Sequence, residues 1–203
     1  MRQTIERKVV NKIYGGGRGW AFSAKDFSGI GRRSSIDVAL HRLLAKGTIR
    51  RVIRGLYDYP KHSSKLEREL SPNLDQVARA LARKFGWRIQ VTGPAAMNLL
   101  GLSTQVPGRV AYLSDGPTRT YTVGERELIF KHTSLKEAGL KRWESSLLVQ
   151  ALKEMGPDRV TSATIQELRE SLDEDLRPSV LKDTRTVTGW VRNAILSICR
   201  EGS

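Results

Sequence analysis

Apolar residues recur along this chain at spacings that mark out its elements in turn. Over residues 2–14, Ile5, Val9, Ile13 and the nearby Val10 fall on one side of a helix. The glycine-rich YGGGRGW, Tyr14 to Trp20, ends that helix in a loose turn. Ser23 then suits the N-cap of a short helix over 24–27, with Asp26 completing a capping box three residues on. Ile36, Leu40, Leu43 and Leu44 repeat at i, i+4, i+7 and i+8. That spacing predicts a helix over Ser35–Lys46, stopped by Gly47 and started by a capping box of Ser34 and Asp37. Ser35, Val38, His41, Arg42 and Ala45 would then face outward. Two short strands follow, TIRRVI and LYDYP, joined across Arg54-Gly55 and ended by Pro60.

The polar run KHSSKLERELSP, residues 61–72, reads as a linker. Beyond it Leu74, Val77, Ala78, Leu81 and Phe85 stand at core spacing in a helix over 73–86. RIQV is a short strand. TGPAAMNLLGLS is a helix with Pro94 in its first turn and Gly101 as its stop. RVAYLSD is a strand, and YTVGERELIFKHT is a hairpin turning near Gly124-Glu125. Beyond Leu140 three helices are expected, over 143–155, 162–172 and 187–200. There is no internal repeat and no low-complexity tract. The class is α+β. A winged helix-turn-helix domain is expected over 1–61, a linker over 62–72, and a mixed α+β domain ending in helices over 73–203.

Charge changes this picture more than composition does. The chain is 39 % hydrophobic and 28 % charged, which suits a folded domain and not a disordered one. Its net charge is +14, but residues 1–61 hold 14 Lys/Arg against 4 Asp/Glu, and residues 62–203 hold 21 against 17. Most of the excess therefore lies in under a third of the chain. That asymmetry points to a polyanion-binding module joined to a more neutral domain. No run of ~20 apolar residues is present to span a membrane, and MRQTIERKVV lacks the apolar core of a secretory signal. Cys199 stands alone, so neither disulfides nor a Cys-rich zinc site is expected. A cytoplasmic location follows as the expectation.

Helix, short helix, turn, helix and hairpin, in that order, make a winged helix-turn-helix. A helix about 10–12 Å across fits the major groove of DNA. Its N-terminal N–H groups and dipole favour phosphate. The candidate DNA-binding residues are Arg18 in the glycine turn, Arg32, Arg33, Ser34 and Ser35 at the helix start, His41 and Arg42 on its outward face, and Arg50, Arg51 and Arg54 in the hairpin. Arg50 and Arg51 are neighbours in a strand and point to opposite faces, so at most one of them faces DNA while the other snorkels or pairs with an acid. Asp37 reads as a cap more than a base reader. His41 suits either a DNA contact or plain solvation. Trp20, Phe22, Tyr57 and Tyr59 read as packing residues.

Enzymatic chemistry finds little to stand on. GGGRG, Gly15 to Gly19, leaves a helix and is not followed by Gly-Lys-Ser/Thr, so it is not a Walker-type loop. His41, His62 and His132 are far apart, and no metalloprotease, nucleophile-elbow or C-x-x-C pattern occurs. Asp173-Glu174-Asp175 reads as a solvated acidic cluster, although a nuclease or nucleotidyltransferase would need such a group for metal. No catalytic residue, metal or cofactor is expected.

The blocks GRGWAFSAKDF and GTIRRVIRGLYDYP, with the helix between them, resemble the N-terminal winged helix-turn-helix of AbiEi-like antitoxins. VTGPAAMNLLGLSTQVPGRVAYLSDGPTRTYTVGERELIFKHTS is similar to the C-terminal region of short members of that group. The resemblance spans roughly residues 8–196. It implies an antitoxin of a type IV toxin–antitoxin, or abortive-infection, system that represses its own operon. The implied partners are promoter duplex DNA, bound at an inverted repeat by a homodimer, and a nucleotidyltransferase-like toxin that the antitoxin need not touch. Longer AbiEi-like antitoxins carry a larger C-terminal domain than residues 73–203. The competing expectation is a basic module bound to RNA or the ribosome, without a toxin. The low aromatic content, 6 %, speaks against a single-strand stacking platform.

Overall fold

The computed structural model describes residues 4–103, 108–133 and 140–200. It is α+β, and the chain divides into two compact units. The first comprises Met1–Ile89, Gly108–Val110 and Arg119–Ile129, and the second Gln90–Pro107, Ala111–Thr118 and Phe130–Ser203. The division therefore falls later than the expected linker. Residues 73–89 belong with the N-terminal elements.

The first unit begins with α1 (Ile5–Gly16), capped by Thr4, whose hydroxyl accepts from the Arg7 N–H. The expected start at residue 2 lies outside the described residues. After β1 (Ala21–Phe22) comes one 3₁₀ turn, Ala24–Phe27. Here the expected capping box forms: the Asp26 carboxylate accepts from the Ser23 N–H at 2.8 Å. Then follow α2 (Arg33–Ala45), β2 (Arg50–Ile53) and β3 (Leu56–Asp58). β3 lies between β1 and β2, antiparallel to both, with Arg51 opposite Tyr57 and Ala21 opposite Asp58. Helix, strand, turn, helix and a hairpin closing a three-stranded sheet are the elements of a winged helix. Val9 and Ile13 of α1, Phe22, Phe27 and the Ile36, Ala39, Leu40 and Leu43 stripe of α2 fill its core. Phe22 and Phe27 meet edge to face, centroids 5.4 Å apart, a favoured aromatic arrangement.

The segment expected as a linker is a hairpin. His62 and Ser63 (β4) pair antiparallel with Arg68 and Glu69 (β5) across a turn in which Glu67 takes φ 49°. Next comes α3 (Leu74–Phe85), started by Asn73, whose side-chain oxygen accepts from the N–H groups of Asp75 and Gln76. Leu74, Val77, Ala78 and Leu81 are buried as the spacing predicts, but Phe85 is 41 % exposed. Arg83 ties this helix to the winged helix, donating to Asp26 Oδ1 at 2.6 Å and to the Ala21 carbonyl at 2.8 Å.

A four-stranded sheet has the order β6-β7-β9-β8, from β6 (Ile89–Val91), β7 (Arg109–Ser114), β8 (Arg119–Val123) and β9 (Arg126–His132). The β8–β9 turn falls at Gly124, as expected. In the second unit α4 (Gly93–Leu99) packs on α5 (Trp143–Met155). Three further helices follow: α6 (Ser162–Ser171), α7 (Arg177–Asp183) and α8 (Gly189–Cys199). Four helices thus stand where three were expected, α7 being the addition. Their core includes Leu148, Leu152, Leu168, Val180, Val191 and Ile195, and it buries Cys199. Among the described residues no helix is long and apolar enough to cross a membrane.

Candidate nucleic-acid interface

The start of α2 is built differently from its expected cap. Arg32 is the extended residue before the helix, and Arg33 is already helical. Asp37 does not close a box with Ser34. It takes a two-pronged contact from Arg33 Nε, at 2.9 and 3.0 Å, one helical turn back. With Arg32 as the residue before the helix, Ser34 lies inside the first turn and cannot serve as its cap, so Asp37 is left to this i,i+4 ion pair. Gly31 fixes the approach to the helix, because a Cβ there would meet Ile5 Cδ1 at 2.8 Å. Ser34 is exposed and Ser35 half-buried, so the outward face carries Ser34, Asp37, Val38, His41, Arg42 and Ala45. Val38, 50 % exposed, gives that face an apolar centre. Arg42 is not free on this face. Glu6 of α1 accepts from Arg42 at 3.2 Å and from Lys46 at 3.0 Å. These two hydrogen bonds hold the Glu6 carboxyl below its usual range.

The hairpin separates its arginines by strand alternation. Arg50 turns inward. Its guanidinium donates to both carboxylate oxygens of Asp58, at 3.1 and 2.7 Å, and to the Leu70 carbonyl at 3.1 Å. Asp58 is 2 % exposed. The bond to Asp58 raises the Arg50 pKa further, so the guanidinium stays charged. Arg50 therefore leaves the set of candidate DNA contacts. It is the cross-strand clamp of the hairpin. Arg51, its neighbour, is exposed and has no side-chain partner among the described residues. Arg54 is exposed in the turn. Gly55 makes that turn possible with φ 73°, and a Cβ there would meet Lys84 Nζ at 3.0 Å.

Arg18 also differs from its expected role. It donates to the Pro60 carbonyl at 2.9 Å and lies 4.7 Å from the centre of the Tyr59 ring. Pro60 lies two residues past Asp58, which pairs with Arg50 at the base of the hairpin, so Arg18 holds the end of the hairpin away from the Arg54 turn. It fastens the glycine turn to the sheet. His41 and Arg32 are exposed and have no side-chain partner among the described residues. The structure thus leaves Arg32, Ser34, His41, Arg51 and Arg54 open, keeps Arg33 and Arg42 exposed but ion-paired, and makes Arg18 and Arg50 structural.

One neighbour was missed. Lys84, at the end of α3, donates to the Arg54 carbonyl at 3.3 Å, and its own carbonyl accepts from Lys25 at 3.3 Å. Burial, and then the nearby Arg33 charge, lower the Lys84 pKa. The adjacent Arg83-Lys84 in the last turn of a helix was the only sequence signal, and it reads equally well as a response to the helix dipole.

The outward side chains can bind a polyanion through cations, hydroxyl and imidazole. Among the described residues no three His, Cys, Asp or Glu side chains gather as a metal site requires. No match is found among curated proteins. The protein family described as a family of unknown function, DUF6088, matches residues 8–179. That match spans the winged helix, the four-stranded sheet and the helices through α6, and the chain accordingly belongs to DUF6088.

Proposed function

We propose that this chain is a sequence-specific duplex-DNA-binding repressor that acts on its own promoter. The observation that carries this reading is the exposed face of α2, flanked by Arg32 at its start and by Arg51 and Arg54 in the hairpin, none of the three with a side-chain partner among the described residues. A helix of 13 residues is about 20 Å long and enters a major groove along its length. Ser34, Val38 and His41 then meet base edges. A hydroxyl and an imidazole offer hydrogen bonds, and the valine suits a thymine methyl group. The hairpin arginines meet the flanking phosphates, which position the helix without reading sequence. A homodimer on an inverted repeat would place two such helices one turn of DNA apart. The similarity to AbiEi-like antitoxins supports a further step, that the repressor is the antitoxin of a type IV pair whose toxin is nucleotidyltransferase-like.

An anisotropy titration tests the reading. The upstream duplex, a scrambled duplex and a matched structured RNA are each titrated at two salt concentrations. Binding to the upstream duplex is expected to be tighter by about 100-fold or more. If about six phosphates are neutralised, log affinity falls with log salt at a slope near −5. Equal, steeply salt-sensitive binding to all three nucleic acids would overturn the repressor reading, and preference for the RNA would replace it.

A further inference from the structure

The end of α3 carries a group that the winged helix alone leaves unused. Phe85 closes an apolar stripe yet is 41 % exposed. Its ring stacks on Trp87, with centroids 4.7 Å apart and planes at 23°. Two cations lie on it. Lys84 Nζ is 5.4 Å from the ring centre, and the Arg119 guanidinium, from the start of β8, is 5.8 Å away. Lys84 reaches on to the wing turn through its bond to the Arg54 carbonyl. β8 lies beside β2 in the same compact unit. The wing turn, Lys84, Phe85 and Arg119 are thus linked contact by contact.

Neither Lys84 nor Arg119 has a carboxylate partner among the described residues. A half-buried ammonium with no acid beside it is costly, and a second cation close by adds to the cost. The structural alternative stands one residue earlier, where Arg83 is paired with Asp26 at 2.6 Å. Lys84 lacks that compensation and has Arg33 near it instead. Cations with no carboxylate partner among the described residues, set around an exposed ring and continuous with a wing turn that is itself basic, complement a polyanion. Phosphates would meet the cations, and the ring would cover the apolar face of a sugar.

We infer that Lys84, Phe85 and Arg119 form a second backbone-contacting edge, which continues the wing and grips the duplex DNA flanking the segment that α2 reads. This edge rests on the duplex-DNA reading above. It makes the footprint longer than a winged helix alone would give, and it assigns a role to β8, which lies far along the sequence from the basic N-terminal region.

The test compares the full wild-type chain with Arg119→Gln and Lys84→Met on two upstream duplexes. One is long, and the other is trimmed by about half a helical turn, roughly five base pairs, at each end. On the long duplex each variant should reduce the steepness of the salt dependence by about 0.9, the value of one phosphate contact, and bind several-fold more weakly at low salt. On the trimmed duplex wild type and variants should bind alike. If Lys84→Met disturbs the wing, its melting temperature will fall, and Arg119→Gln, whose side chain is exposed and makes no ion pair among the described residues, still decides. Wild-type binding with an unchanged slope in Arg119→Gln would overturn the second edge and leave the repressor reading standing. No duplex binding by the wild type would overturn both.

Discussion

Arginine does different work in the two units. In the second unit Arg159, Arg169 and Arg177 close helix ends. Arg169 donates to the carbonyls of Ser197, Ile198 and Arg200, at 2.6, 3.2 and 3.1 Å, and so caps the C-terminus of α8. Arg177 donates to the Arg169 carbonyl at 3.3 Å. Arg159 donates to the carbonyls of Glu154 and Met155 at the end of α5. Each satisfies groups that a helix leaves orphaned. In the first unit Arg32, Arg51 and Arg54 satisfy nothing within the described residues. Exposed cations bound to nothing add little to stability, and packed together they repel. Their concentration in one small unit is what the proposed duplex-DNA partner would neutralise. The sharpest form of the contrast is one strand: Arg50 clamps Asp58, and Arg51 beside it has no side-chain partner among the described residues.

The largest expected effect breaks the structural side of this contrast. Asp58→Ala takes the buried partner from the half-buried Arg50, leaving it Glu69 at 3.5 Å and the Leu70 carbonyl, and should destabilise the chain by about 3 kcal/mol. That corresponds to a fall in melting temperature of roughly 6–12 °C. A melt within 2 °C of wild type would mean that Arg50 is solvated and that the hairpin holds without its clamp. Next comes Arg169→Ala, expected to cost about 1–2 kcal/mol because three carbonyls lose a shared donor. Urea unfolding measures it, and duplex affinity should not change. His41→Ala should shift discrimination between the upstream and scrambled duplexes by about 1 kcal/mol while leaving the salt slope alone. A changed slope with unchanged discrimination would make His41 a backbone contact.

The smallest effect lies in acid. Asp183, at the end of α7, accepts from the Lys141 and Arg142 N–H groups at 2.9 Å and so caps α5 from 41 residues away. Burial acts to raise its pKa, but those backbone bonds outweigh it and hold the carboxyl low. A lowered carboxyl releases its proton more readily in the folded state than in the unfolded chain. Its contribution is therefore present above the ordinary carboxylate value, about 4, and is lost as the pH falls through the lowered one. Asp183→Asn should flatten the acid limb of a stability–pH curve, and an unchanged limb would remove Asp183 from the account of α5.

The elements were legible in the sequence where a short spacing carried the information. The Ile36, Leu40 and Leu43 stripe, the box of Ser23 with Asp26, and the turn at Gly124 are all local. The misses came from contacts between distant residues or from local competition. Nothing in RRVI says that Arg50 will find Asp58 across the hairpin, because that needs the register. Arg18 reads as a free cation until Tyr59 and Pro60 are brought beside it. The Ser34–Asp37 box failed because the helix starts at Arg33, which puts Ser34 inside the first turn. The polar run 61–72 carries no apolar alternation, yet it pairs as β4 and β5. Phe85 kept the helical spacing but fell past the end of the surface that α3 packs on. Charge asymmetry located the basic unit without showing which of its arginines are open.

The central claim is that open and clamped arginines divide binding from folding. The most direct measurement is the salt dependence of upstream-duplex binding by the Arg51→Ala, Arg54→Ala double variant, with its melting curve beside it. The expected result is a slope shallower by about 2 and a stability within about 0.5 kcal/mol of wild type. An unchanged slope would contradict the claim, because the two hairpin arginines left open would then not be touching the DNA.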